Sequence, residues 1–511
     1  MPEEFMDKWF NKIKPQWKTA FYAAAFFGLL THLYILTNYL PHHDGIIRIY
    51  TPQNGFLMGR FFLTPFNGIG SFFDLPVING VLSILFLALT AVALTELFQL
   101  KKKISIILTA GLLTAFPAIT STMSYMYTAT GYMAASFVTV LALLITWRSK
   151  YGFLPGAFLL YLAVGVYQAN FPFLLTMATL FFINEILFFQ SSLRNLLHSI
   201  FRFMLMAFIG MGLYFLTYKL YTSFFSDGLN DYQGVDEIGT SSAGLLETIL
   251  LILERMVEFF FRGLASDFPV NLFEVLNVLL FILIAVAIVA AIIENRHHQK
   301  RGMLILAISL TVTLPLSAFS LYFINPDIWY HMLMVLSVIS FYLLPVLIYD
   351  KLTVPGGLTK FTSWSTVILL GFIILNFAII ANIAYLNMNL KFEKSQAVTS
   401  RIVDRVEQTE GFDKDIPVAI YGTVPIDSEV SDTIGQKIPE VTGPMQPILL
   451  RDARHFESMM NNFLGASFKV ITEEEELLEI SQSETYEDMG IWPAASSVQM
   501  VDGVLIIKLE E

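Results

Sequence analysis

The segment His42-His43-Asp44-Gly45 is one of the few polar stretches between the long apolar runs of residues 19–386. An ionisable side chain at the edge of a bilayer is costly to keep, so a carboxylate there marks chemistry more often than decoration. Such a group can take the proton of a hydroxyl and raise its nucleophilicity as the proton leaves. Arg48, Asn54, Gly55, Gly59, Arg60 and Asp74 follow on the same loop. A guanidinium grips phosphate with two parallel hydrogen bonds, and Gly59 lets Arg60 approach a headgroup closely. A base beside a cation is what transfer from a lipid-phosphate donor requires: one activates the incoming oxygen and the other stabilises the departing phosphate. The plainer alternative is an Asp–Arg pair that only braces the loop.

Other polar residues at the same membrane edge extend this set. Lys219, near the outer end of an apolar stretch, can pair with a phosphate or simply snorkel. Arg255 belongs to a charged stripe with Glu247, Glu254, Glu258 and Arg262, and the opposite helical face is apolar. Such a helix lies in the interface plane, either as the wall of a headgroup site or as a plain amphipathic connector. His43, Asp74, Gln168 and His331 are candidate substrate contacts. So is Tyr127, although Tyr125, Tyr127 and Tyr132 also fit an aromatic belt. No metal is expected, because adjacent histidines do not easily converge on one ion and His32 lies inside the first apolar stretch. No cofactor is expected either: there is no Walker loop, GxSxG, HExxH or dinucleotide fingerprint.

The elements that must position these residues are transmembrane helices. A mean hydropathy of +0.63, with 55% hydrophobic and only 14% charged residues, lies outside the range of soluble globular chains. Eleven stretches approach the length needed to cross a hydrocarbon core: 19–40, 77–99, 104–122, 128–147, 151–167, 171–190, 203–222, 269–293, 302–323, 329–348 and 364–386. Lys and Arg concentrate before the first stretch and in alternate loops, which predicts a cytoplasmic N-terminus and, with an odd count, an exported C-terminal segment. The first stretch is too long for a cleaved signal and lacks a small-residue cleavage site, so it is expected to stay as an anchor. Residues 387–408 read as an exit helix, and 409–511 alternate β-branched runs with helical pieces, as in a small extracytoplasmic α/β domain. The expected fold is thus a polytopic α-helical membrane body over 1–386 with that domain appended. A net charge of −11 without a basic stripe argues against nucleic acid. The absence of cysteine excludes disulfides and thiol catalysis, and an exported domain without disulfides leans towards a bacterial cell membrane.

Several short motifs together resemble a known family. His43-Asp44-Gly45 followed by Gly59-Arg60 is similar to the first outer loop of the serotype-converting O-antigen glucosyltransferases, the Gtr type II family. Phe116-Pro117, Ser124-Tyr125, Tyr127 and Tyr167-Gln168-Ala169 look like its next landmarks. Asn382, Tyr385, Asn387 and Arg401-Ile402-Val403-Asp404-Arg405 resemble its exit helix, and Trp492-Pro493, Ser497-Val498 and Val504 to Leu509 its Gram-positive endings. The resemblance implies a GT-C type glycosyltransferase, with inversion at the sugar. The donor would be a polyprenyl-phosphate-linked hexose, glucose or a related sugar, made and flipped by an upstream synthase and flippase. The acceptor would be a cell-envelope polysaccharide or teichoic-type polymer on the outer face. It also implies that Asp44 is the catalytic base. Here the acidic motif is a single Asp followed by Gly, which leaves Asp74 as the remaining candidate for a second carboxylate. The rival readings are a transporter or flippase of an envelope precursor, which predicts a polar path through the midplane, and a non-catalytic assembly protein.

Overall fold

A computed structural model describes residues 2–4, 12–47, 49, 55–189, 192–225, 244–264, 271–294, 301–353, 356–424, 438–444 and 450–510. Arg48 and Asn54 of the first loop, and most of the loop before Leu245, lie outside the described residues.

Among the described residues, seven helices are long and apolar enough to cross a membrane: Pro15–Thr37, Pro76–Leu97, Met126–Arg148, Asn170–Phe188, Leu193–Phe224, Leu272–Glu294 and Gly357–Glu407. An eighth counts if Lys103–Ala115 and Pro117–Ser124, bent by 41° at Phe116, form one span. Pro117 has no N–H for the ladder and its ring clashes with the preceding turn, which accounts for that break. The chain is thus a multi-pass membrane protein, but eleven full-length spans are not seen among the described residues. Of the other three apolar stretches, 151–167 yields the 14-residue helix Phe153–Val166. At 1.5 Å per residue that is about 21 Å, short of the hydrocarbon core. Stretch 302–323 gives a helix ending at Ala318 and then a 3₁₀ turn at Ser320–Phe323. Stretch 329–348 begins with two 3₁₀ turns before the helix Ile339–Lys351.

Helices Pro15–Thr37, Pro76–Leu97 and Met126–Arg148 pack side by side, and Phe153–Val166 and Leu193–Phe224 continue the row. His32 is buried between helices, its ring bonded to the Tyr385 hydroxyl at 2.7 Å and the Thr114 carbonyl at 2.8 Å, so its role is bracing. One end of the bundle is stitched by charge. Glu96 accepts from Lys14, Trp17 and Arg148, while Asp350 accepts from the backbone of Lys101 and Lys102 and pairs with Lys351. The loop after Thr37 emerges at the opposite end.

The helix Gly357–Glu407 runs unbroken for 51 residues from the bundle into the C-terminal part. There a four-stranded sheet has the order β2-β1-β4-β3, with β1 Pro417–Tyr421, β2 Lys469–Val470, β3 Val498–Val501 and β4 Val504–Lys508. β1 is parallel to β2 and β4, and β3 is antiparallel to β4. Arg405 ties the long helix to the tail by bonds to the carbonyls of Pro493 and Ala494 and by stacking on Trp492. The sheet, the end of that helix and residues 450–468 enclose a second hydrophobic core, separate from that of the bundle. One member of this core, the fully buried Ile46, comes from the first loop.

Candidate active site

The first helix stops at Thr37, and after Pro41 the chain turns into the short helix His43–Ile47. Ile46 inserts into the C-terminal core, and the Ser458 hydroxyl donates to the Ile46 carbonyl at 2.7 Å. This pins the acid turn from behind. In front, the Tyr127 hydroxyl reaches Asp44 Oδ2 at 3.5 Å, and His43 Nε2 stands 3.4 Å from Asp44 Oδ1. The Asp44 N–H donates to His42 Nδ1 at 3.2 Å, and the His42 ring lies on Tyr125 with centroids 3.8 Å apart. His42 and His43 are buried, which pushes their basicity down to about 3 and about 4, so both rings are neutral at pH 7. The Asp44 side chain keeps 38% exposure.

Asp74 comes to the same place. Its Oδ2 lies beside Gly45, 3.8 Å from where a β-carbon would stand. Its Oδ1 is buried without a hydrogen-bond partner, and burial raises the carboxyl to about 7. A carboxyl of that strength exchanges protons near neutral pH.

Arg60 sits a short way along the loop. Gly59 takes a left-handed φ of 69°, a turn that a side chain would strain, and Arg60 follows directly. The next turn is fastened to the bundle by the Phe62 N–H, which donates to the Gly165 carbonyl at 2.8 Å. The Arg60 guanidinium lies over Tyr167 at 5.2 Å and Tyr132 at 5.8 Å, and those two rings stack at 4.4 Å. Arg60, Tyr167, Gln168, Tyr214, Asn325 and His331 bring polar groups to a partly open cavity whose other walls are largely Val, Leu, Ile, Met and Phe. Gln168 is oriented by the Met58 carbonyl at 2.9 Å and the Tyr214 hydroxyl at 3.0 Å. A cation in the wall of an otherwise apolar cavity suits an amphiphile with an anionic head.

One helix joins the two parts. Met126–Arg148 presents Tyr127 to the acid turn and Tyr132 to Arg60, five residues apart, or roughly 7 Å along its axis. Asn67 locks the first loop onto this helix, donating to the Tyr127 carbonyl and accepting from the Gly131 N–H. A C-terminal loop spans both parts: Thr442 contacts His331 Nδ1 at 3.4 Å, and Gly443 passes over Ser124 and Tyr125. With φ at 96°, and only 3.0 Å between an added β-carbon and Ser124 Cβ, that position accommodates only glycine without strain.

The sequence candidates therefore divide. Asp44, His43, Asp74 and Tyr127 converge on the acid turn, and Arg60, Gln168 and His331 on the cavity. Lys219 lies on an exposed face of Leu193–Phe224 and is not among the cavity-lining residues. Arg255 pairs with Glu258 at 2.6 Å and donates to the Tyr322 hydroxyl at 3.2 Å, one step behind cavity-lining Leu321. Tyr127 and Tyr132 are buried and face inward, so they do not form a lipid-facing belt, whereas Trp329 is exposed. Sequence reasoning missed Asp452 and His455. Asp452 caps the helix Ala453–Ser458 and holds His455 Nδ1 at 2.8 Å, and the His455 ring stands 6.3 Å from that of His43. Burial works to raise the Asp452 carboxyl, but bonds from Arg454 and His455 outweigh it and hold it at about 2. The available signal was Asp-x-x-His opening a helix outside the membrane.

The sequence profile of the Glucosyl transferase GtrII family matches residues 33–348, more than half of the chain. No curated protein and no solved structure matches significantly.

Proposed function

The chain belongs to the GtrII glucosyl transferase family and is a glycosyltransferase; from that premise we propose that it moves a hexose from a polyprenyl-phosphate donor to a hydroxyl of a cell-envelope glycan at the outer membrane face. The observation that carries this reading is the joining of the Asp44 turn to the Arg60 cavity by one helix. The donor's first isoprene units occupy the apolar walls and its phosphate lies against Arg60. The acceptor enters beside Asp44, which is half open and framed by Tyr127.

In the reaction the acceptor oxygen attacks the anomeric carbon from the face opposite the phosphate. A C–O bond to the acceptor forms as the C–O bond to phosphate breaks, so the configuration inverts. The hydroxyl proton passes to Asp44, and the lipid phosphate leaves carrying the bond's electron pair, with Arg60 neutralising its growing charge. Asp74, whose carboxyl burial raises to about 7 and whose Oδ2 lies beside Gly45, takes the proton onward in this reading.

The test is sugar transfer in proteoliposomes that carry a polyprenyl-phosphate-hexose. Asp44→Asn is expected to lower turnover by roughly 10²–10⁴-fold, the usual range for general base catalysis. Turnover close to wild type would remove Asp44 from that role.

A further inference from the structure

We propose that His42, His43 and Asp44 of the first loop and His455 of the C-terminal part bind one divalent transition-metal ion of the zinc class. The three consecutive side chains each offer a donor atom, and those atoms lie within 4.8 Å of one another. The adjacency expected to keep them apart is overcome where the backbone turns into the helix His43–Ile47. The His42 and His43 ring centres are 5.0 Å apart. Two imidazoles on one tetrahedral ion, with metal–nitrogen bonds of about 2.0–2.1 Å, leave their ring centres about 5 Å apart.

His455 supplies the independent observation. Its Nδ1 lies 2.8 Å from Asp452 Oδ1, so Nδ1 carries the proton and Nε2 keeps its lone pair. That Nε2 is buried without a hydrogen-bond partner; the ring is 6.3 Å from that of His43, wider than the His42–His43 spacing and outside the three-residue group, so His455 must close by about 1 Å to complete the site. A carboxylate that fixes one imidazole nitrogen and leaves the other bare is the usual backing of a ligating histidine. His42 Nε2 is likewise buried without a partner. Because its Nδ1 accepts the Asp44 N–H at 3.2 Å, Nε2 holds the proton, and His42 ligates only by giving up that bond at Nδ1 or by changing tautomer. It is therefore the exchangeable ligand of the four. Three imidazoles and one carboxylate select zinc, cobalt or nickel over magnesium or calcium.

The catalytic part of this inference rests on the transferase reading. Asp44 turns Oδ1 to His43 and Oδ2 to Tyr127, so the group lies where the acceptor enters. An acceptor hydroxyl that replaces His42 on the ion becomes more acidic.

The experiment uses the full chain in nanodiscs, stripped with chelator, reloaded with Zn²⁺ or Co²⁺ and dialysed. One ion per chain is expected, with Co²⁺ giving the visible absorption of a tetrahedral site. His43→Ala with His455→Ala should lose the ion, and Asp452→Asn, which keeps a capping side chain, should weaken affinity about 10–100-fold. Exposed His198→Ala should change nothing. Equal retention by wild type, the double variant and Asp452→Asn would mean an adventitious ion only and would overturn the proposal, as would no retention by wild type. Arg60→Ala should lower transfer by roughly 10²–10³-fold yet keep the ion, so failure of the transferase reading and failure of the metal site are distinguishable.

Discussion

The acid turn and the Arg60 cavity are built in opposite ways. Among the described residues, the cavity is lined by the family-matched segment alone, with only Thr442 reaching His331 from beyond it: the Phe62–Gly165 bond, the Tyr132–Tyr167 stack and the Gln168–Tyr214 bond all fall within residues 33–348. The acid turn borrows its position. Ile46 sits in a core that is otherwise C-terminal, Ser458 holds its carbonyl, and His455 stands beside His43. The lining of the Arg60 cavity is thus intrinsic to the family-matched segment, while the turn that carries Asp44 is held in part by residues outside it.

Three further measurements bear on this division of labour. The largest effect is expected for Arg60→Ala, a loss of roughly 10²–10³ in kcat/KM, typical of removing one charge-stabilising group. Arg60→Lys should recover part of it, and Lys219→Ala should turn over like wild type. An equal loss at Lys219 would move the phosphate site out of the cavity. Next comes Ile46→Ala. Truncating a fully buried aliphatic side chain costs about 2–5 kcal/mol, so the C-terminal part should become sensitive to limited proteolysis and transfer should fall. Unchanged proteolysis with unchanged transfer would show that the turn does not borrow its position. The smallest effect concerns Asp74. Its carboxyl is raised from 3.8 to about 7, so between those values the folded protein holds a proton that the unfolded chain releases. Stability should therefore fall as pH climbs through that window and level off above about 7. Asp74→Asn should flatten the thermal-melting profile and melt higher than wild type at alkaline pH. Identical slopes would mean that the carboxyl is solvated.

Much of the bundle was legible because apolar runs of span length have few alternatives to a helix. The break at Phe116 was readable in principle from Pro117, but whether such a proline kinks or divides a span depends on what packs beside it. The stretches 151–167, 302–323 and 329–348 have the right composition without the right length of helix, since hydropathy does not report where backbone hydrogen bonding is interrupted. In the site, Asp44 and Arg60 stood out because charge is rare in such a sequence. Lys219 stood out for the same reason, yet it points away, because spacing along one helix fixes a face only relative to unknown neighbours. His455 was silent: its meaning comes from His43, which lies in a different part of the chain.

The unbroken helix Gly357–Glu407 has one more consequence. No proline interrupts its 51 residues, and at 1.5 Å each they form a rod about 75 Å long. Anchored in lipid at one end and in the sheet's core at the other, it works as a lever arm. A tilt of about 5° about its membrane end carries the far end through roughly 6.5 Å, more than the 4.8 Å within which the donor atoms of His42, His43 and Asp44 lie. Any change in the tilt of this helix is therefore felt, magnified, at the core that holds Ile46.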